Sequence, residues 1–292
     1  MIAGKNLSET SYAFALTYEL VKLFSGQLKG IPIFPTQVEE AVLGYDVNFE
    51  EAGVPLILQF KRSTLLKTNQ AKEIKVSKAG INPPFYRFHL HQTSVKKQHE
   101  NLIKLCGGTA EVLYAAPEFT STIDLHNHFS NNSIIENSVF ISPMDIGLIS
   151  NSGKHTVAFE KNKDTAWVCS EPSEISRIRI KEILYKAQTK LEQEVEPIIV
   201  ELKKVKETLI ANDNQFSREY NRIRNGPDRN ISIKTYTSDS LSINEMSSVT
   251  YKQTIDDLYL EPKWRTLLDL RTLTESLVKV YNAQLFILQR KK

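Results

Sequence analysis

The stretch GYDVNFEEAGVPLILQFK, residues 44–61, decides how the chain is read. Tyr45, Val47 and Phe49 alternate with Gly44, Asp46 and Asn48. After Glu50-Glu51-Ala52-Gly53 the alternation resumes, with Leu56, Leu58 and Phe60 set against Ile57, Gln59 and Lys61. A period of two is the signature of a strand, and two such runs across a short turn predict a β-hairpin. A four-residue loop over 50–53 places Phe49 opposite Val54 and Asp46 opposite Ile57, diagonal to Gln59. Asp46, Gln59 and Lys61 then share one face, with the nearest of them about 5–8 Å apart across the strands. Tyr45, Val47, Phe49, Leu56, Leu58 and Phe60 form the opposite, core-facing side. Changing the loop by one residue would turn one strand over and separate the polar three.

Outward from the hairpin, residues 8–24 predict an amphipathic helix. Ser8 is its N-cap, and Tyr12, Ala15, Leu16, Leu20 and Leu23 lie on one stripe. GIPIFPTQVEE (30–40) holds two prolines and a capping-box pair, Thr36 and Glu39, and suits a helical turn or an irregular approach strand. Downstream, a strand is expected over 84–91, a helix over 94–105, a strand over 111–116, and shorter strands over 138–149 and 155–159. This makes a mixed α/β domain of residues 1–168. From about residue 169 to 292 the pattern is mainly helical. ISRIRIKEILYKAQTKLEQEVEPIIVELKKVKETLIA (175–211) is dense in helix formers and is split or kinked by Pro197, and a last helix is expected over 264–288. Its aliphatic positions, Leu184, Leu191, Val195, Ile198, Leu202, Val205 and Leu209 among them, suit homo-oligomerisation or partner docking.

The 292 residues carry 37 Lys+Arg against 34 Asp+Glu, a net charge of +3, too near balance to announce nucleic-acid binding by itself. Cys106 and Cys169 are the only cysteines, which excludes a disulfide framework and a Cys-only zinc site. The first residues show no signal peptide, and no apolar run approaches a spanning helix, so a cytoplasmic protein with no membrane partner is expected. There is no Walker loop, no GxSxG elbow and no HExxH pair. All six histidines fall between positions 89 and 155. His126-Asn127-His128 spells HNH, but a ββα-metal nuclease needs separated residues in that context, not this tripeptide. Helix 94–105 carries Lys96, Lys97 and Gln98 beside His99, and Arg222-Ile223-Arg224 offers a weaker basic cluster.

A carboxylate, an amide oxygen and a lysine on one polar face form a specific chemical grouping. A hard divalent cation takes oxygen ligands, commonly one or two carboxylates plus waters and substrate phosphate. A metal-bound water can then attack a phosphodiester while a lysine stabilises the charge that develops. Glu40 competes for the acidic role. A fully extended 40–46 would hold it about 20 Å from Asp46, so only a turn over 36–41 would bring it in.

GYD at 44–46 followed by LILQFK at 56–61 resembles the PD-(D/E)xK, restriction-endonuclease-like nuclease superfamily. That pattern has an Asp on one strand, a short turn, (Asp/Glu/Gln)-x-Lys on the next, a helix before, and a helix–strand pair after. The resemblance spans roughly residues 8–120 and extends to Glu9, at the place of the first-helix glutamate common in such nucleases. It implies an αβββαβ core followed by a mainly helical region. It implies Mg²⁺, or Mn²⁺ in its place, on Asp46 and Gln59, with Lys61 serving the transition state and Glu9 as a fourth member of the site. The activity implied is an endonuclease acting on phosphodiester bonds, of DNA more readily than RNA, in bacterial anti-phage defence and beside a partner such as an ATPase or helicase. Gln59 stands where the commonest form has an acid, and one negative charge fewer weakens cation binding. The competing expectation is a catalytically inactive nuclease-like binding or scaffold protein in a multi-protein complex.

Overall fold

A computed structural model describes residues 7–24, 53–75, 80–90, 98–106, 110–150, 154–170, 172–192, 197–225, 262–281 and 283–289. The chain is mixed α/β with two sheets. The first sheet has four strands: β1 (Gly53–Phe60), β4 (Glu111–Pro117), β5 (Ser138–Ile141) and β9 (Ala283–Gln289), in the order β5-β4-β1-β9. β1 runs parallel to β4 and antiparallel to β9. The second sheet has five: β2 (Thr64–Leu66), β3 (Phe85–Leu90), β6 (His155–Glu160), β7 (Thr165–Val168) and β8 (Ser173–Ser176), in sequential order and antiparallel throughout.

Helices cover both faces of β1, and for this reason all eight of its residues are buried. On one face Leu56, Leu58 and Phe60 pack with Tyr12, Leu16 and Leu20 of α1 (Glu9–Phe24) and with Ile183 and Ala187 of α6 (Ile180–Glu192). On the other face Ile57 joins Leu102 and Leu105 of α3 (Gln98–Cys106), Ile198 and Leu202 of α7 (Ile198–Asn212), and Leu273 and Leu277 of α9 (Pro262–Tyr281). A Cβ on Gly53 would stand 2.9 Å from the Ile198 Cβ, so glycine lets β1 and α7 approach this closely. The second sheet lays Phe88, Leu90, Val157, Phe159, Val168 and Ile175 into the same cluster, so one core joins the two sheets.

Short helices complete the set: α2 (Lys72–Lys75), α4 (Thr122–Ser130), α5 (Pro143–Ile146) and α8 (Asn214–Asn225). The predicted N-cap holds, since Ser8 Oγ accepts the Ser11 N–H at 3.0 Å. Strands β3, β4 and β6 and helix α3 fall where the sequence places them, and the break at Pro197 separates α6 from α7.

Three expectations are corrected. Residues 175–179 are not the start of a helix: β8 pairs with β7, and Ile178 bridges to Phe140. Of the strand expected over 138–149, only β5 is extended; Ser142 then caps α5, which begins at Pro143. The helix expected over 264–288 ends at Tyr281, and AQLFILQ runs on as β9 against β1. A short apolar run suits a buried strand and a buried helix equally well, and here the open edge of β1 decides. The helix-rich second half thus contributes a strand to the sheet that carries Gln59.

The hairpin register is corrected as well. Ile57, to which the sequence pattern assigns Asp46 as partner, has Val112 on one side and Leu285 on the other. Both ladder positions are taken, so the pairing of Asp46 with Ile57 does not stand. Asp46 itself lies outside the described residues, as do Glu40, the segment 30–40, and Lys96 and Lys97. The expected polar face of β1 is also absent. Gln59 and Lys61 are 1% and 5% exposed, because helices and the second sheet close over the side that alternation alone assigns to solvent.

Candidate functional site around Gln59, Lys61 and Glu9

The parallel pair β1–β4 ends at a polar cluster. The Lys61 N–H extends the ladder by donating to Ala115 O at 2.8 Å, and Glu118 follows directly after β4. In α/β sheets the carboxyl ends of parallel strands leave backbone and side chains free of the ladder, and ligands bind there. α1 reaches the same end. Glu9, in its first turn, accepts the Arg62 N–H on Oε2 at 3.0 Å, which ties the helix start to the residue after Lys61.

Burial pulls the Lys61 ammonium from its ordinary 10.5 down to about 8, and the Glu9 carboxylate acts in the opposite direction. Lys61 Nζ lies 5.5 Å from the centre of the Tyr114 ring, over its face. That ring is held in place: the Tyr114 hydroxyl and His99 Nδ1 are 2.8 Å apart, and His99 Nε2 meets Gly147 O at 2.8 Å. Because Gly147 O only accepts, Nε2 carries the proton and Nδ1 takes the Tyr114 O–H. Burial depresses the His99 pKa, which suits this neutral form. Burial likewise raises the Tyr114 hydroxyl well above its usual range.

Gln59 has one end engaged and one not. Its Nε2 donates to the backbone carbonyl of Tyr281 at 2.6 Å, and its Oε1 is buried with no hydrogen-bond partner among the described residues. The orientation follows from the partner, since turning the amide over would press two oxygens together. The Tyr281 carbonyl closes α9, whose last carbonyls lack intrahelical donors. Gln98 treats the preceding carbonyl in the same way, with Nε2 3.3 Å from Val280 O. Tyr281 is fixed in turn: its hydroxyl donates to Asp213 Oδ2 at 2.6 Å, and its ring stacks on Phe216 at 5.8 Å. Asp213 also accepts from Asn101 and caps α8 through the Gln215 and Phe216 N–H groups. This support is invisible in the sequence because it spans 222 positions from Gln59.

Two oxygens in this region are of the kind a divalent cation takes. The orphaned Gln59 Oε1 suits one neutral oxygen ligand, and Glu9 brings a carboxylate that already accepts one N–H. Among the described residues, no group of three or more His, Cys, Asp or Glu is placed to hold a metal. The structure therefore ties Glu9 to the backbone of Arg62, within electrostatic reach of the Lys61 ammonium, and sets Gln59 two residues before Lys61 at the same strand end.

Glu118 was not singled out from the sequence. It is 1% exposed, and its Oε1 lies 2.6 Å from Arg177 Nη2, an ion pair by distance although neither carboxylate oxygen receives a well-directed hydrogen bond. An acid directly after a predicted strand ending in Pro117 was the available signal. The histidines divide. His155 is 2% exposed and neither ring nitrogen has a partner among the described residues, whereas His126 is exposed on α4 and His128 is half-buried against the Phe119 ring, with its Nδ1 3.0 Å from Ser133 Oγ. Burial raises the Cys106 and Cys169 thiols to about 11, which removes them as nucleophiles.

No helix among the described residues is long and apolar enough to cross a membrane. These elements define a mixed α/β protein whose first sheet ends in a buried lysine, an orphaned glutamine oxygen and a helix-borne glutamate. Compared with family models, curated proteins and solved structures, the chain matches none.

Proposed function

We propose that the chain is a metal-dependent nuclease of the PD-(D/E)xK type, hydrolysing phosphodiester bonds, of DNA in preference to RNA. The observation that carries this reading is Lys61: an amine buried at the carboxyl end of β1, two residues after Gln59 and beside Glu9, with its pKa drawn down to about 8. A solvated surface lysine has no reason to sit in such a place, whereas a lysine that meets a phosphoryl oxygen gains from exclusion of water. The parallel β1–β4 pair, with α1 before it and α3 between its strands, supports the restriction-endonuclease-like core. In this reading, which takes Asp46 from the sequence motif and not from the rejected hairpin register, Asp46 and Gln59 would hold Mg²⁺ or Mn²⁺, which supplies an activated water when bound. Lys61 binds the transferring phosphoryl group, and Glu9 holds Lys61 and Arg62 in position. Residues 1–168 supply the nuclease residues, β9 from the second half completes their sheet, and the helices of 169–292 brace it and serve assembly. A role in anti-phage defence beside an ATPase or helicase completes the proposal. The test is nicking of supercoiled plasmid with Mg²⁺ by wild type, Asp46→Ala and Lys61→Ala. Cleavage by wild type with at least a 100-fold loss in each variant is expected, and equal residual cleavage in all three overturns the site.

A second reading has its own observation. Gln59 Nε2 caps α9 through Tyr281 O, a structural duty sufficient to explain a buried glutamine. On that reading the chain is a catalytically silent nuclease-like scaffold, and neither Mg²⁺ nor Mn²⁺ shifts its melting temperature.

A further inference from the structure

The end of α9 that meets Gln59 also borders a hollow of about 420 Å³ on the outside of the molecule, lined by Gln215, Arg218, Glu219, Arg222, Lys279 and Val280. Arg218 and Arg222 lie one turn apart on α8, and Lys279 reaches the same place from α9. Arg218 Nε donates to Asn214 O at 3.2 Å, and Glu219 organises the other two. It receives Arg222 through two parallel hydrogen bonds, Nε to Oε2 at 2.9 Å and Nη2 to Oε1 at 2.7 Å, and Lys279 Nζ stands 3.6 Å from its Oε1. One carboxylate among three cations leaves the hollow with a net charge of +2. The carboxylate is largely covered while Arg222 is about two-thirds exposed, so solvent meets the cations rather than the acid.

We propose that this hollow seats backbone phosphates of a bound nucleic acid. The guanidinium fork fits phosphate oxygens, and Arg222 is already held in one geometry, so less side-chain freedom is lost on binding. Val280 is the one apolar side chain in the lining, so the hollow offers no stacking platform for a base and suits the sugar–phosphate chain instead. The placement extends the nuclease reading, on which the inference rests: Lys279 and Val280 immediately precede Tyr281, whose carbonyl holds Gln59, so strand and site are tied through one helix end.

The test is binding without cleavage. Fluorescence anisotropy of a labelled 20-base-pair duplex is followed in EDTA across a salt series, for wild type, Arg218→Gln/Lys279→Gln, and a control with the same charge change on α6, Lys181→Gln/Lys186→Gln. Expected is a loss of affinity of about tenfold or more in the first variant, with the slope of log K against log salt shallower by about 2, since each neutralised phosphate contributes ~0.9. The control keeps the wild-type slope. Equal weakening in both variants overturns the inference, because net charge then suffices. No binding by wild type overturns it as well, whereas plasmid cleavage reports separately on Asp46 and Lys61. Inorganic pyrophosphate distinguishes the source of the phosphate. Displacement only at the ionic strength where NaCl displaces supports the backbone, and displacement at micromolar concentration assigns the hollow to a small phosphate compound instead.

Discussion

The two sheets contain strands with similar alternation and opposite fates. In β1 the positions Ile57, Gln59 and Lys61 read as an outer face, yet every residue of the strand is buried because helices lie on both sides. In β3 the corresponding polar positions, Arg87 and His89, stay partly or fully open, and only Phe85, Phe88 and Leu90 are buried. On β3 the polar side chains reach water or, for Arg87, the Glu73 carboxylate. On β1 only a partner can compensate burial, and Gln59 Oε1, which has none among the described residues, is the atom left to be explained there, as the His155 ring is on β6.

The comparison breaks most visibly on packing. Leu58, fully buried between α1 and α6, is expected to cost about 4 kcal/mol when changed to Ala, against about 2 for Ile175 on the edge strand β8, where neighbours can settle into the gap. Urea titration of the two variants measures the difference, and equal costs would erase the distinction between the sheets.

Lys61 sharpens it through pH. The folded state lowers this pKa to about 8 from 10.5, so below pH 8 the buried charge weighs against folding, by roughly 3 kcal/mol. Between pH 8 and 10.5 the unfolded chain binds more protons, and stability rises with pH. Lys61→Met should therefore be more stable than wild type at pH 7, and the gap should close towards pH 10.5. A pH-independent gap would place Lys61 in water.

A pair of histidines gives the smallest contrast. His99→Phe leaves the Tyr114 hydroxyl and Gly147 carbonyl without partners and should cost about 2 kcal/mol at pH 7, while His89→Ala, on the open side of β3, should stay within about 0.5. The depressed pKa of His99 adds a sign. The unfolded chain takes the proton first, so wild-type stability falls as pH drops below 6.5, and the fall should be weaker in His99→Phe.

Much of the fold was legible where periodicity is local. Helix α1 with its Ser8 cap, strands β3, β4 and β6, and the break at Pro197 all follow from short-range pattern and capping. What escaped was long-range. Nothing near Leu56–Phe60 states that β9, more than two hundred residues later, would lie against β1, so the local hairpin looked like the only solution. The candidate site was legible to the same degree: Glu9 reaches the residue after Lys61, but the Tyr281 carbonyl, the Tyr114 ring and Glu118 come from distant elements that sequence spacing does not connect.

The central claim is that Lys61 is buried to act on a phosphoryl group. The most direct measurement is the rate of Mg²⁺-dependent plasmid nicking between pH 6.5 and 9.5 for wild type, Lys61→Arg and Lys61→Ala. The account predicts a wild-type rate that falls above about pH 8 as Lys61 loses its proton, a fall absent in Lys61→Arg, and almost no nicking by Lys61→Ala. Identical profiles for wild type and Lys61→Ala would contradict it.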